Sequence, residues 1–115
     1  MITRRDLPAG VAATQAAHAA LSLSISHPAA TAAWDDVEGT LVLLTTKDEL
    51  SLDLLFDALG QTSSLHVPFH EPDLGFSLTA VAILPDAQAK RLLRPLPLLL
   101  PPTSALVQQR EEVIS

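Results

Sequence analysis

Residues 6–20, DLPAGVAATQAAHAA, carry the first signal of how this chain folds. Asp6-Leu7 closes a short alternating stretch, Pro8-Ala9-Gly10 turns the chain, and an alanine-rich run follows. Seven of the nine residues 12–20 are Ala or Gln, and Ala is the strongest helix former. Gln15 and His18 stand three apart, so on a helix they share a face. An acid at a strand end with two polar side chains near a helix start can form a site. The same residues can equally be a turn and a helix with ordinary surface groups.

Upstream of this stretch, Ile2, Arg4 and Leu7 fit a strand that ends at Pro8. Downstream, the helix is predicted over residues 10–27, stopped by Pro28 because the residue before a proline avoids helical dihedrals. A second short helix at 29–35 would place Trp34 against the core. Residues 40–46, TLVLLTT, are apolar on both faces at 41–44, which predicts a central strand covered on both sides. Thr46 then reads as an N-cap with Glu49 three residues on, the capping-box spacing. The helix so opened runs to Leu59, with Leu50, Leu54, Leu55 and Leu59 inward, Asp53 and Asp57 outward, and Gly60 as C-cap.

Residues 65–69 alternate as a half-exposed strand, and Pro68 places it at an edge. EPDLG at 71–75 is a loop, FSLTAVAIL at 76–84 a strand, and Pro85-Asp86 opens a helix over 87–93. RPLPLLLPP at 94–102 fits neither a helix interior nor a central strand. This order predicts an α/β fold: a single-domain, three-layer sandwich with a four-stranded mixed sheet and helices on both faces. The domain is expected over 1–100, with a tail at 101–115.

At 115 residues the chain suits one core. Trp34, Phe56, Phe69 and Phe76 are its only aromatic residues, so the core must be aliphatic, with many Ala allowing close helix-to-sheet approach. There is no cysteine, hence no disulfide framework, which fits a reducing, cytoplasmic setting. The net charge of −6 opposes nucleic-acid binding, which draws much of its affinity from phosphate neutralisation. No apolar run reaches the roughly 18–20 residues of a membrane span. Thr3-Arg4-Arg5-Asp6-Leu7 has the look of a twin-arginine export signal. Asp6, Gln15 and His18 interrupt the apolar region it would need, so a packed helix is the expected reading.

Taken together, a strand ending in Asp6-Leu7, a Gly10-led helix with Gln15-Ala-Ala-His18-Ala19, and Asp73-Leu74-Gly75-Phe76-Ser77 before the last strand resemble the archaeal and eukaryotic family of peptidyl-tRNA hydrolases. The resemblance follows element order over residues 1–100, and its specific motifs are a handful of positions. It implies hydrolysis of the ester joining a peptide to the tRNA 3′ end. The implied catalytic positions are Gln15, His18, Asp73 and Ser77, with Asp6 supporting the turn and Arg4 and Arg5 the nearest cations for substrate. In such a site His18 or Asp73 would activate a water and Gln15 would orient it or donate to the oxyanion. The family's turn lysine is replaced here by Val11. No cofactor is implied.

Plainer readings stand beside these. His66, His70 and Asp73 have the chemistry of zinc ligands, but such groups on a loop are ordinarily solvated, and no metal is assigned. Asp48, Glu49, Asp53 and Asp57 read as a solvated helix face. Lys90, Arg91 and Arg94 read as cations near a helix C-terminus. If the chain is not catalytic, the apolar residues 92–102 are the expected contact surface. A homodimer is the expected assembly and no membrane contact is expected.

Overall fold

The computed structural model describes residues 1–99; the expected tail at 101–115 lies outside the described residues. The elements are β1 (Ile2–Arg4), α1 (Ala9–Ser26), α2 (Pro28–Val37), β2 (Leu44–Thr46), α3 (Glu49–Leu59), β3 (Leu65–Glu71), a 3-10 turn (Pro72–Leu74), β4 (Ser77–Leu84) and α4 (Ala87–Leu93). The four strands form one sheet in the order β2-β1-β4-β3. β1 runs parallel to β2 and antiparallel to β4, and β3 runs antiparallel to β4. α1 packs on one face and α3 with α4 on the other, giving the three-layer α/β sandwich expected from the element order.

β4 supplies core to both faces, and a local irregularity decides which residue goes where. Phe69 pairs with Ala80 and His70 with Leu78, which leaves Thr79 as an extra residue in the ladder. Strict alternation would set Leu78 on the side of Ala80. The bulge breaks that alternation, so Leu78 joins Val81 and Ile83 beneath α3, with Ile2, Leu52, Leu59 and Leu93. On the other face Ala80 and Ala82 meet Ala19 and Leu23 of α1. Ala12 and Ala16 are buried on the same helix. Alanine on both sides lets helix and strand backbones approach closely, as the composition suggests.

Three expectations are corrected. The strand expected centrally at 40–46 is β2, only Leu44–Thr46, and it lies at the edge. Its apolar run is not explained by cover on both faces: Leu41 and Val42 are exposed and line a cavity described below. Residues 97–99 run along the outer edge of β2, with Thr45 N–H donating to Pro97 O at 2.8 Å and Leu99 N–H to Leu43 O at 3.0 Å. Proline suits such a margin, where one missing N–H costs little. The described part of the apolar segment 92–102 is thus partly used inside the fold.

On α3 the buried stripe is Leu52 and Leu59, with Leu55 and Phe56 packed against it, while Leu50 and Leu54 are exposed. The cap is Asp48, whose carboxylate accepts the Ser51 N–H at 2.9 Å, rather than Thr46, whose hydroxyl contacts Thr3 O. Gly60 is the C-cap, as expected, but in right-handed rather than left-handed conformation. Gly39 does have the left-handed conformation: at φ +59 it follows α2, and a Cβ there would stand 3.1 Å from Asp35 O.

Asp86 ties α4 to the preceding loop. Its carboxylate accepts from Ala89 N–H at 2.7 Å and Ser63 N–H at 3.1 Å, and its own N–H donates to Ser64 Oγ at 2.9 Å. The Ala89 hydrogen bond holds the carboxyl below the usual aspartate range, against opposing desolvation. A depressed folded pKa stabilises fully above the unfolded value of about 3.9 and is lost as pH falls through the folded value. Asp86→Ala should therefore lower Tm at neutral pH, and its deficit should shrink steadily below about pH 4. Thermal melts across that range check this; a constant deficit would contradict it.

Candidate functional site

Two regions of the fold have site-like geometry, at opposite ends of the sheet. The first is where the parallel pair β1 and β2 ends, the end at which open α/β sheets hold ligands. The strand ends, the starts of α1 and α3, and the β3–β4 hairpin gather here. Arg4 is spent within the fold: Nε and Nη2 donate to both Asp6 carboxylate oxygens at 2.9 and 2.8 Å, and Nη1 to Leu78 O at 3.2 Å. Glu49 Oε2 stands 3.7 Å away. The fork of Arg4 holds the Asp6 carboxyl below its ordinary range. Arg5 is exposed.

Gln15 and His18 share a face of α1, as their spacing predicts, but they differ in environment. Gln15 is buried, and its Oε1 accepts from Thr79 Oγ1 at 2.8 Å. Thr79 is itself buried, lies 3.3 Å from Phe69 O through the same hydroxyl, and accepts the Thr3 hydroxyl on its carbonyl at 2.9 Å. This network fastens α1, β1 and β3 to the bulge in β4. His18 is exposed, its ring stacked on Phe69 at 4.6 Å between centroids and 6° between planes.

Asp73 is exposed on the hairpin turn, with its N–H donating to Glu71 Oε1 at 3.3 Å. Among the described residues its carboxylate makes no hydrogen bond to Gln15, His18 or Ser77. Ser77, half-buried, begins β4 opposite Glu71. Between them Gly75 and Phe76 both have positive φ, +65° and +60°. Glycine takes that conformation freely, whereas for Phe76 it is strained. Phe76 N–H donates to Glu71 O at 2.9 Å, and its ring is exposed. The structure thus unites Gln15 with His18 on one helix face and sets Asp73 on the neighbouring hairpin tip.

At the other end of the sheet lies a cavity of about 560 Å³ that the sequence did not suggest. Its walls come from the C-terminal half of α1, from α2, from the loop before β2, and from α4. Trp34, expected in the core, is instead a half-buried wall residue. Leu23, Leu41, Val42 and Leu93 make most of the wall apolar, and Lys90 and Arg94 stand on its α4 side. The signal was present in two places: an apolar run at 41–44 too long for its strand, and two cations four residues apart at the end of a short helix.

Among the described residues no group of three or more side chains is arranged to hold a metal, and no helix is long and apolar enough to cross a membrane. Comparison with known proteins finds no matching family model, no matching curated protein and no matching solved structure. Fold and site together define a small α/β sandwich with a polar strand-end region at one pole and an apolar cavity at the other.

Proposed function

We propose that the chain is a non-catalytic member of the peptidyl-tRNA hydrolase type of fold, working as a small binding and homo-oligomeric interaction module. The observation that carries this reading is the fate of the polar groups. Gln15 Oε1 is bonded into the buried Thr79 network and the guanidinium of Arg4 is held by Asp6 and the Leu78 carbonyl, so these groups serve the fold before any substrate. Val11 stands where the family has its lysine, and the overall charge of −6 disfavours approach of a polyanion such as tRNA. Self-association is supported by Leu50 and Leu54, which lie on one exposed face of α3.

Hydrolysis of peptidyl-tRNA is the second reading, favoured by Gln15 and His18 on one helix face beside the hairpin that carries Asp73. Release of peptide from purified peptidyl-tRNA separates the two. Wild type at high concentration is expected to release no more than buffer. The same preparation is expected to scatter light with a mass near twice the 12.2 kDa chain. Release that is lost in His18→Ala or Asp73→Ala would establish the hydrolase and overturn the non-catalytic reading. A single-chain mass would remove the dimer.

A further inference from the structure

We infer that the cavity between α1, α2 and α4 binds a medium-chain aliphatic carboxylate, with the chain against the apolar wall and the carboxylate between Lys90 and Arg94. The inference rests on the binding-module reading above and names the class of its ligand.

Size and lining come first. A volume of about 560 Å³ falls within the roughly 300–1,000 Å³ of small-molecule sites. Leu23, Leu41 and Val42 are wholly apolar and Trp34 is so except for its indole N–H, and burying a hydrocarbon chain there gains about 0.8 kcal/mol per methylene. Polar groups on the wall are few. Thr31 hydrogen-bonds back to His27 O at 2.9 Å and Thr40 to Glu38 O at 3.3 Å. The Met1 amino nitrogen donates to Val42 O at 2.7 Å. These groups are engaged with the chain's own carbonyls, so they leave little to recognise a sugar or a base.

Charge then selects the head group. Lys90 of α4 and Arg94, its C-cap residue, are four apart on one side of the cavity, and both are exposed. Neither makes an ion pair among the described residues, where Arg4 alone does so. Glu38 is the one carboxylate of the wall. Two side-chain cations against one carboxylate, beside the Met1 amino group, make a locally positive mouth on a molecule of net charge −6. A guanidinium and an ammonium close together recognise a carboxylate through charge-assisted hydrogen bonds. An apolar recess ending in paired cations suits an amphipathic anion, and neither a neutral lipid nor a polyanion meets both halves of it.

Trp34 is the only tryptophan and lies in the wall, so its emission reports occupancy directly. The full chain is titrated with decanoate and with decanol, as wild type and as Lys90→Gln/Arg94→Gln. Both ligands should shift Trp34 emission in wild type, decanoate binding about five- to ten-fold more tightly. In the double variant that preference should vanish while decanol affinity stays unchanged, and salt should weaken decanoate alone. Equal affinity of wild type for acid and alcohol would overturn the carboxylate assignment and leave a general apolar pocket. Saturating ligand with no effect on emission, confirmed by equilibrium dialysis, would overturn ligand binding altogether, whatever the outcome of the peptide-release assay. Emission that shifts on dilution without ligand would assign the cavity to a second copy of the chain and also overturn the proposal.

Discussion

Leu52→Ala should cost about 3 kcal/mol of unfolding free energy, lowering Tm by about 10–20 °C in a domain of this size. Leu52 is fully buried between α3 and the sheet and belongs to the cluster of Ile2, Leu59, Leu78 and Val81. Truncation removes its transfer free energy and leaves a cavity that close neighbours fill only in part. At protein concentrations low enough to dissociate any dimer, Leu50→Ala and Leu54→Ala on the same helix should change stability by less than about 0.5 kcal/mol, because those side chains are 67% and 62% exposed in the single chain. Urea denaturation of the three variants compares them directly. A Leu50→Ala loss as large as that of Leu52→Ala would mean that α3 is turned the other way.

Thr79→Val should cost about 1–3 kcal/mol, more than its near-identical shape suggests. The substitution keeps the β-branch at the bulge but removes the hydroxyl that donates to Gln15 Oε1. A buried amide oxygen is then left without its donor, and desolvation without compensation is the expensive case. Gln15→Met in the Thr79→Val background should recover part of the loss, since replacing both partners with apolar groups relieves the unpaired oxygen. Denaturant midpoints for the two single variants and the pair close the cycle. Losses that simply add would show that Gln15 and Thr79 do not act as a unit, and would return Gln15 to consideration as a free polar group.

The element order was legible because its signals are local. Pro28 separates α1 from α2 and falls at the first position of the second helix. Pro68 does mark an edge strand, and α4 spans the predicted residues with Asp86 as its cap. Errors arose where two patterns competed within one segment. On α3 both Leu50/Leu54 and Leu52/Leu55/Phe56/Leu59 have helical spacing. The second set is longer and free of charge, whereas Asp53 and Asp57 flank the first. Residues 41–44 satisfied the pattern of a doubly covered strand, while Leu41, Val42 and Leu44 serve as cavity wall. The candidate site was legible only as far as the helix face. That Gln15 would be buried depended on Thr79, and the position of Thr79 depended on a bulge that leaves no periodic trace in FSLTAVAIL.

The position of β1 between β2 and β4 governs the order in which the domain can be assembled. Ile2 pairs with Val81, so the innermost strand contact joins residues separated by nearly the whole described chain. Closing so long a loop must be offset before that contact contributes, so this pairing is a slow, non-local step of assembly. During synthesis β1 emerges well before β4. Until residues 77–84 are available, Ile2 and Thr3 have a partner strand on one side only, and α1 lacks the Ala80–Ala82 surface on which it packs. The N-terminal two-thirds has no complete core of its own; the fold closes from its two ends together.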